Sequence, residues 1–300
     1  MKMKCPKLKK RYDNIGYLFV LPAFALFMIF AAVPACLTFR IAFYEWDFLS
    51  PDMTFVGVEN FVKLFEDENF RTVIGNTFYF TVVTVLAKVG LGVILANFVA
   101  SRVRNRVGQF VMESALFMPI VIPMSVVALV FNKMYDYEFG VLNGILRIFG
   151  LGPVGWLTDA DIALNSVMLV DIFKGVGFFF IIALVAIRNI PRAYYEAAEI
   201  DGGTKTRQFF AITLPLIGNT LVFLFVTAFI SSFQVFDPIY IMLNGMFGDT
   251  KVTISYMMWQ QAFFYRDVGY ASVIAIVIFV IVLAMTLGQF LLSRVMVKDD

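Results

Sequence analysis

The chain has 300 residues, of which 60% are hydrophobic and 15% charged, and its formal net charge is +2. A soluble domain is nearer half apolar, so this composition points to a membrane protein. It contains no histidine, which excludes His-based acid–base catalysis and the commonest metal ligand; Cys5 and Cys36 suggest no disulfide framework.

A spanning helix needs roughly 20 mainly apolar residues. Six stretches qualify, at about 16–43, 73–100, 109–131, 163–187, 211–233 and 270–292. The first is long enough to tilt or to extend beyond the bilayer. Its basic start also has the shape of a signal peptide, and Val33-Pro34-Ala35-Cys36 resembles a lipoprotein cleavage box. The length of the apolar run, Pro34 and the five later spans argue against cleavage, and Cys36 reads as a small apolar residue in a helix. Pro22 and Pro34 in the first span, Pro119 and Pro123 in the third, and Gly175 and Gly177 in the fourth read as helix breaks. Such breaks survive in lipid where neighbouring helices, side chains or water satisfy the freed backbone. They favour a bundle packed around a pathway, although kinked spans are common in their own right.

Between the first two spans, Val58, Phe61, Val62 and Phe65 recur at i, i+3, i+4 and i+7. This is an amphipathic helix lying against the outer membrane surface; capping the bundle and touching a partner both explain it. Lys and Arg concentrate on alternate connections. The N-terminal tail carries Lys2, Lys4, Lys7, Lys9, Lys10 and Arg11; the second-to-third connection Arg102, Arg104 and Arg106; the fourth-to-fifth Arg188, Arg192, Lys205 and Arg207; the C-terminal tail Arg294 and Lys298. The positive-inside rule places these four segments in the cytoplasm, with both termini. The chain divides into a basic tail (1–15), one membrane domain (16–292) and a C-terminal tail (293–300). No linker separates a second domain, and no repeat is evident.

The most informative stretch is the fourth-to-fifth connection, within 188–210. Pro191 suits the first position of a helix. Arg192 to Asp201 contains no breaker, and Gly202 and Gly203 supply a stop. Tyr194, Ala197, Ala198 and Asp201 fall on one face, where two alanines make a shallow spot for another surface. Thr204 caps a second helix running into Phe209, Phe210 and Ile212, and Pro215 bends the entry to the fifth span. A plain connector lying on the membrane explains the aromatic residues. It does not explain an acidic, alanine-bearing helix stopped by Gly-Gly between basic flanks.

Within membrane spans, Lys88, Asp171 and Lys174 are costly charges and hence functional candidates. Asp171 and Lys174 stand three apart and can pair on one helix face. Gly175 and Phe178 continue that face. The fifth span ends in Ser231, Ser232, Phe233, Gln234, Phe236 and Asp237, again polar and aromatic. Lining a pathway and fastening the bundle explain Asp171 and Lys174 equally well, because buried ion pairs are poor evidence of stabilisation. Lys88 reads as snorkelling or pairing with a partner, and Trp46, Trp156 and Trp259 as interfacial anchors.

Glu196-Ala197-Ala198, Gly202, Ile212, Leu214 and Pro215 match the EAA loop of ABC-importer permeases. Gly16–Ala23, Phe55–Phe61, Asn76-Thr77-Phe78, Phe117-Met118-Pro119, Phe139–Asn143, Gly155–Asp159 and Gly269–Ser272 fit the same family in order. The chain resembles carbohydrate ABC importer permeases, the class of the first permease subunit of maltose-type transporters. It departs at Gly203, where the family usually has Ala, and at Asn244-Gly245-Met246, where it often has Gly-Gly-Pro.

The resemblance implies an all-α fold of six transmembrane helices, the type I importer permease fold. It implies a second homologous permease, an ATPase dimer, an extracytoplasmic binding protein and a carbohydrate cargo, with no role in binding nucleic acid. Coupling to the ATPase falls on Tyr194, Glu196, Ala197, Ala198, Asp201, Gly202 and Gly203. The substrate path falls on Asp171, Lys174, Gly175, Phe178, Ser231, Ser232 and Gln234. It implies no catalytic or metal site in this chain, with ATP and Mg bound by the partner ATPase. Independently, no G-x-x-x-x-G-K-[ST] phosphate loop is present, since Gly202-Gly203-Thr204-Lys205-Thr206 has the wrong spacing. Two rivals remain: an ABC permease for another solute such as a glycerol-phosphate ester, and a gradient-driven carrier with broken helices and buried charges. A membrane enzyme has little support, because lone carboxylates define no catalytic site.

Overall fold

A computed structural model describes residues 9–47, 49–103, 105–243 and 251–298. Lys2, Lys4, Lys7, Cys5, Arg104 and Asn244-Gly245-Met246 lie outside the described residues. The chain forms two units, one from residues up to Leu64 with Gln261–Ile276, the other from Phe65–Gln260 with residues from Val277 onward.

In the first unit, α1 (Lys9–Phe27) continues through a π-helical turn, Met28–Ala32, into α2 (Val33–Ile41). The wide turn sits just before Pro34, whose ring and missing N–H disrupt the preceding α-helical turn. The membrane-length stretch Tyr17–Ile41 has no buried residue. Two short strands follow, β1 (Tyr44–Glu45) and β2 (Thr54–Phe55), paired antiparallel. They are the two strands among the described residues, two residues each, in a chain that is otherwise helical as expected. α3 (Glu59–Glu66) is the expected amphipathic helix. It buries Asn60 and Leu64 and leaves Val58, Val62 and Phe65 exposed. The Asn60 amide donates to the carbonyls of Ala42 and Tyr44, both at 3.0 Å. A Cβ at Gly269 would fall 2.1 Å from the Tyr44 carbonyl oxygen. Asn60 and Gly269, two residues of the family-like fragments, thus tie this unit together.

In the second unit, α4 (Glu68–Arg102) is capped by Asp67, whose side chain accepts from the Asn69 N–H; N-cap carboxylates satisfy such orphan donors. α5 (Arg106–Val121) and α6 (Met124–Met134) form one broken span bent by 96°. The break falls at Ile122-Pro123, where proline forbids continuation. α7 (Val141–Ile148) follows in what the sequence offers only as a loop. Its Asn143 bonds to Tyr137, Val154 and Trp156, joining the Phe139–Asn143 and Gly155–Asp159 fragments.

α8 (Ala163–Arg188) is unbroken, so Gly175 and Gly177 do not interrupt it. A Cβ at Gly177 would sit 2.2 Å from the Leu116 carbonyl, and one at Gly92 would sit 2.8 Å from Phe179 Cβ. These glycines let α5 and α4 approach α8 closely, as small residues do between membrane helices. Val85, Val89, Val93, Ala96 and Val99 of α4 pack against Phe179, Phe180, Ala183, Leu184 and Ile187 of α8.

Beyond α8 come α9 (Arg192–Ile200), α10 (Lys205–Gln208), a π-helical turn Phe209–Thr213, α11 (Leu214–Leu216) and α12 (Gly218–Phe233). α13 (Asp237–Leu243) and α14 (Ile254–Trp259) precede a third π-helical stretch, Gln260–Phe264, and then α15 (Val268–Lys298). Among the described residues, five stretches are long and apolar enough to cross a membrane, or six if the bent pair counts as one span.

The tryptophans are packed internally rather than only anchored. Trp46 Nε1 donates to the Ser50 carbonyl and Trp156 Nε1 to Asn143 Oδ1. Trp259 lies edge-on to Tyr240 at 4.8 Å between centroids, beside Phe236 and Tyr256.

Candidate functional site

The spacing of α8 puts Asp171, Lys174, Gly175 and Phe178 along one side. They line a cavity of about 400 Å³ together with Ser231, Gln234, Phe236 and Asp237 from the end of α12 and the start of α13. Six of the seven sequence-predicted path residues therefore converge. The exception is Ser232, which is fully buried away from the lining and has no hydrogen-bond partner among the described residues. One step along a helix turns a side chain by about 100°, so Ser231 and Ser232 face different surroundings.

The ion pairing differs from the local reading. Asp171 pairs with Lys88 across α4 and α8, Nζ to Oδ2 2.7 Å, rather than with Lys174. Lys88 neither snorkels nor waits for a partner chain: its side chain is 3% exposed and it lines the cavity. Gly175 is what lets it through, because a Cβ there would fall 2.5 Å from Lys88 Cδ. Lys174 lines the same cavity without a hydrogen-bond or ion-pair partner among the described residues.

The second site is the α8–α12 connection. α9 begins after Pro191, which stands at the N-cap rather than one position inside. It ends in a two-bond turn, with Gly203 N–H donating to the Ala198 carbonyl at 2.7 Å and Gly202 N–H to the Glu199 carbonyl at 3.1 Å. This is a Schellman closure, and Gly202 holds the left-handed position it requires, at φ +74°. Thr204 caps α10, its hydroxyl accepting from the Arg207 N–H, as the sequence predicts.

α9 is fastened by one side. Tyr195 packs against the core, and its hydroxyl lies 3.0 Å from Thr213 Oγ1. Lys205 pairs with Glu199, and Arg188 pairs with Glu113 at 2.6 Å. A polar cavity of about 570 Å³ lies behind α9, lined in part by Tyr195, Glu196, Glu199 and Lys205. Tyr194, Ala197, Ile200, Asp201 and Gly202 are exposed, whereas Ala198 and Gly203 are partly covered. The two alanines are therefore not equally presented. The sequence reading missed Ile200, which is 87% exposed at the end of the helix. An apolar side chain between Glu199 and Asp201, with no apolar run around it, was the available signal.

Long apolar helices carry a cavity lined by charged and aromatic side chains, the features of a membrane protein. A family model described as "Binding-protein-dependent transport system inner membrane component" matches residues 88–297, and the chain belongs to that family. It is a multi-pass membrane permease component, a class whose members are transport subunits rather than enzymes.

Among its relatives, it is 34% identical over 277 residues to the probable ABC transporter permease protein YurN of Bacillus subtilis, covering 92% of this chain and 94% of that one. It is 31% identical over 288 residues to the trehalose/maltose transport system permease protein MalF of Thermococcus litoralis, covering 96% of each. The fold is similar, with a TM-score of 0.84, to a chain of a bacterial alginate ABC transporter solved in complex with an alginate pentasaccharide-bound periplasmic protein. The identity there is 26%, over 95% of both chains.

Proposed function

We infer that this chain is one permease subunit of an ATP-driven, binding-protein-dependent importer of a sugar or oligosaccharide. The carbohydrate names of the trehalose/maltose and alginate relatives support that cargo. The alternation of basic connections supports six spans with both termini, and the α8–α12 connection, in the cytoplasm. In this reading residues 16–292 form the membrane domain, with 1–15 and 293–300 as tails.

A second, homologous permease completes the pathway. An ATPase dimer binds ATP and Mg, and an extracytoplasmic binding protein delivers cargo. The observation that carries the reading is α9: a short helix fastened on one side and closed by Gly202-Gly203, with Tyr194, Ala197 and Ile200 bare on the other. A bare face on a rigidly stopped helix is a lever onto which an ATPase docks, and Glu196, Asp201, Gly202 and Gly203 complete it. The cavity lined by Asp171, Lys174, Gly175, Phe178, Ser231 and Gln234 is the cargo path, with Lys88 added to it and Ser232 set aside.

Gentle purification of the tagged chain from host membranes, with mass spectrometry of what accompanies it, tests this. A second permease, an ATPase and a binding protein are expected. Recovery of the chain alone, with uptake surviving collapse of cellular ATP, would favour a gradient-driven carrier.

A further inference from the structure

We propose that the cargo is an anionic saccharide, a sugar bearing a carboxylate or comparable acid, and that Lys174 is the residue that selects it. The inference rests on reading the Lys88–Asp171 cavity as a sugar path and goes further by naming the chemical class of the sugar.

The argument is one of charge at depth. Lys174 stands near the middle of α8, roughly 17 and 21 Å from its ends at 1.5 Å per residue. That is farther than a lysine stem reaches, so its ammonium cannot escape to either headgroup layer by snorkelling. A lone cation at such a position is costly, and intramembrane charges face cavities or partners for that reason. Lys88 has its partner, since Asp171 lies 2.7 Å away. Lys174 has none among the described residues.

The other carboxylate of the lining, Asp237, is exposed and begins α13. Helix-terminal N–H groups already stabilise an acid in that position. The α4 and α8 side of the cavity thus holds two cations and one carboxylate, Lys88 buried and Asp171 and Lys174 half-buried, and a cargo acid supplies the missing charge. The rest of the lining suits a sugar ring: Phe178 and Phe236 offer flat apolar faces, while Ser231 and Gln234 offer hydroxyl and amide groups.

The test uses the whole assembly, purified with its partner permease and ATPase and held nucleotide-free in lipid nanodiscs. Calorimetric titration compares uronic-acid trisaccharides with their carboxyl-reduced, neutral counterparts, and with glycerol phosphate. The expected result is at least ~10-fold tighter binding of one acidic trisaccharide than of its neutral counterpart. Lys174→Gln should reduce that preference to within ~2-fold, and Lys174→Arg should retain it. Equal binding of acidic and neutral forms overturns the anionic selection while leaving the sugar reading intact. Glycerol phosphate binding without any saccharide binding overturns the sugar reading itself, and the inference with it. An acid preference undiminished in Lys174→Gln overturns the assignment to Lys174.

Discussion

Gly175 leaves the gap through which Lys88 reaches Asp171. A methyl group at Gly175 would lie 2.5 Å from Lys88 Cδ, and the ammonium beyond it is 2.7 Å from the Asp171 carboxylate. The pair and the glycine act as one unit. Gly175→Ala is expected to displace the lysine stem and lower stability by about 1–3 kcal/mol, the range for an overpacked interior. Thermal unfolding of the purified assembly checks this; an unchanged midpoint would show that Lys88 has another route.

The same pair separates fastening from pathway lining. Lys88→Met alone leaves Asp171 without its partner, and breaking a buried pair in this way costs about 3–5 kcal/mol. Lys88→Met with Asp171→Leu removes both charges and should restore most of that loss. If the pair lines the pathway, uptake stays impaired in the stable double variant. Recovery of uptake together with stability would reduce the pair to a fastener.

Much of this was legible in the chain, but unevenly. The stop of α9 follows from Gly202 and Gly203, and the cap of α10 from Thr204, because those signals are local. Lys88–Asp171 was not legible, since 83 residues separate the partners and a nearer lysine, Lys174, offered a local pair. The 96° bend between α5 and α6 was marked by Pro123 without its size, whereas Pro119, also read as a break, lies inside α5. α13 passed as loop, although Asp237-Pro238 is a usable helix start. Gly177 read as punctuation and Gly92 drew no reading, because backbone proximity between helices leaves no mark on either sequence alone.

Gly202 makes a second, independent test of α9. At φ +74°, alanine is strained, and a left-handed non-glycine residue costs about 1–2 kcal/mol. Gly202→Ala should loosen the closure and weaken stimulation of ATP hydrolysis by the cargo-loaded binding protein, with the amount of assembled complex reduced less. Steady-state ATPase assays on the reconstituted assembly read this directly; full stimulation in the variant would mean the closure carries no coupling.

The fastened side should behave differently from the bare one. Tyr195→Phe removes a hydroxyl bonded to Thr213 and should cost about 0.5–1.5 kcal/mol of stability without abolishing partner binding. Ile200→Glu leaves the fold untouched, because the side chain is 87% exposed, yet it should release the ATPase on purification. Co-purification of both variants with the ATPase decides; retention in Ile200→Glu would move the docking surface elsewhere.

Cross-linking at Ala197 tests the central claim most directly. In native membranes, with Cys5 and Cys36 replaced by serine, Ala197→Cys presents one exposed thiol on α9 to a short bifunctional reagent. The account predicts a product joining this chain to an ATPase subunit, with a yield that changes when ATP is added. A thiol freely labelled by a water-soluble maleimide from the extracytoplasmic side, with no ATPase-linked product, would contradict it.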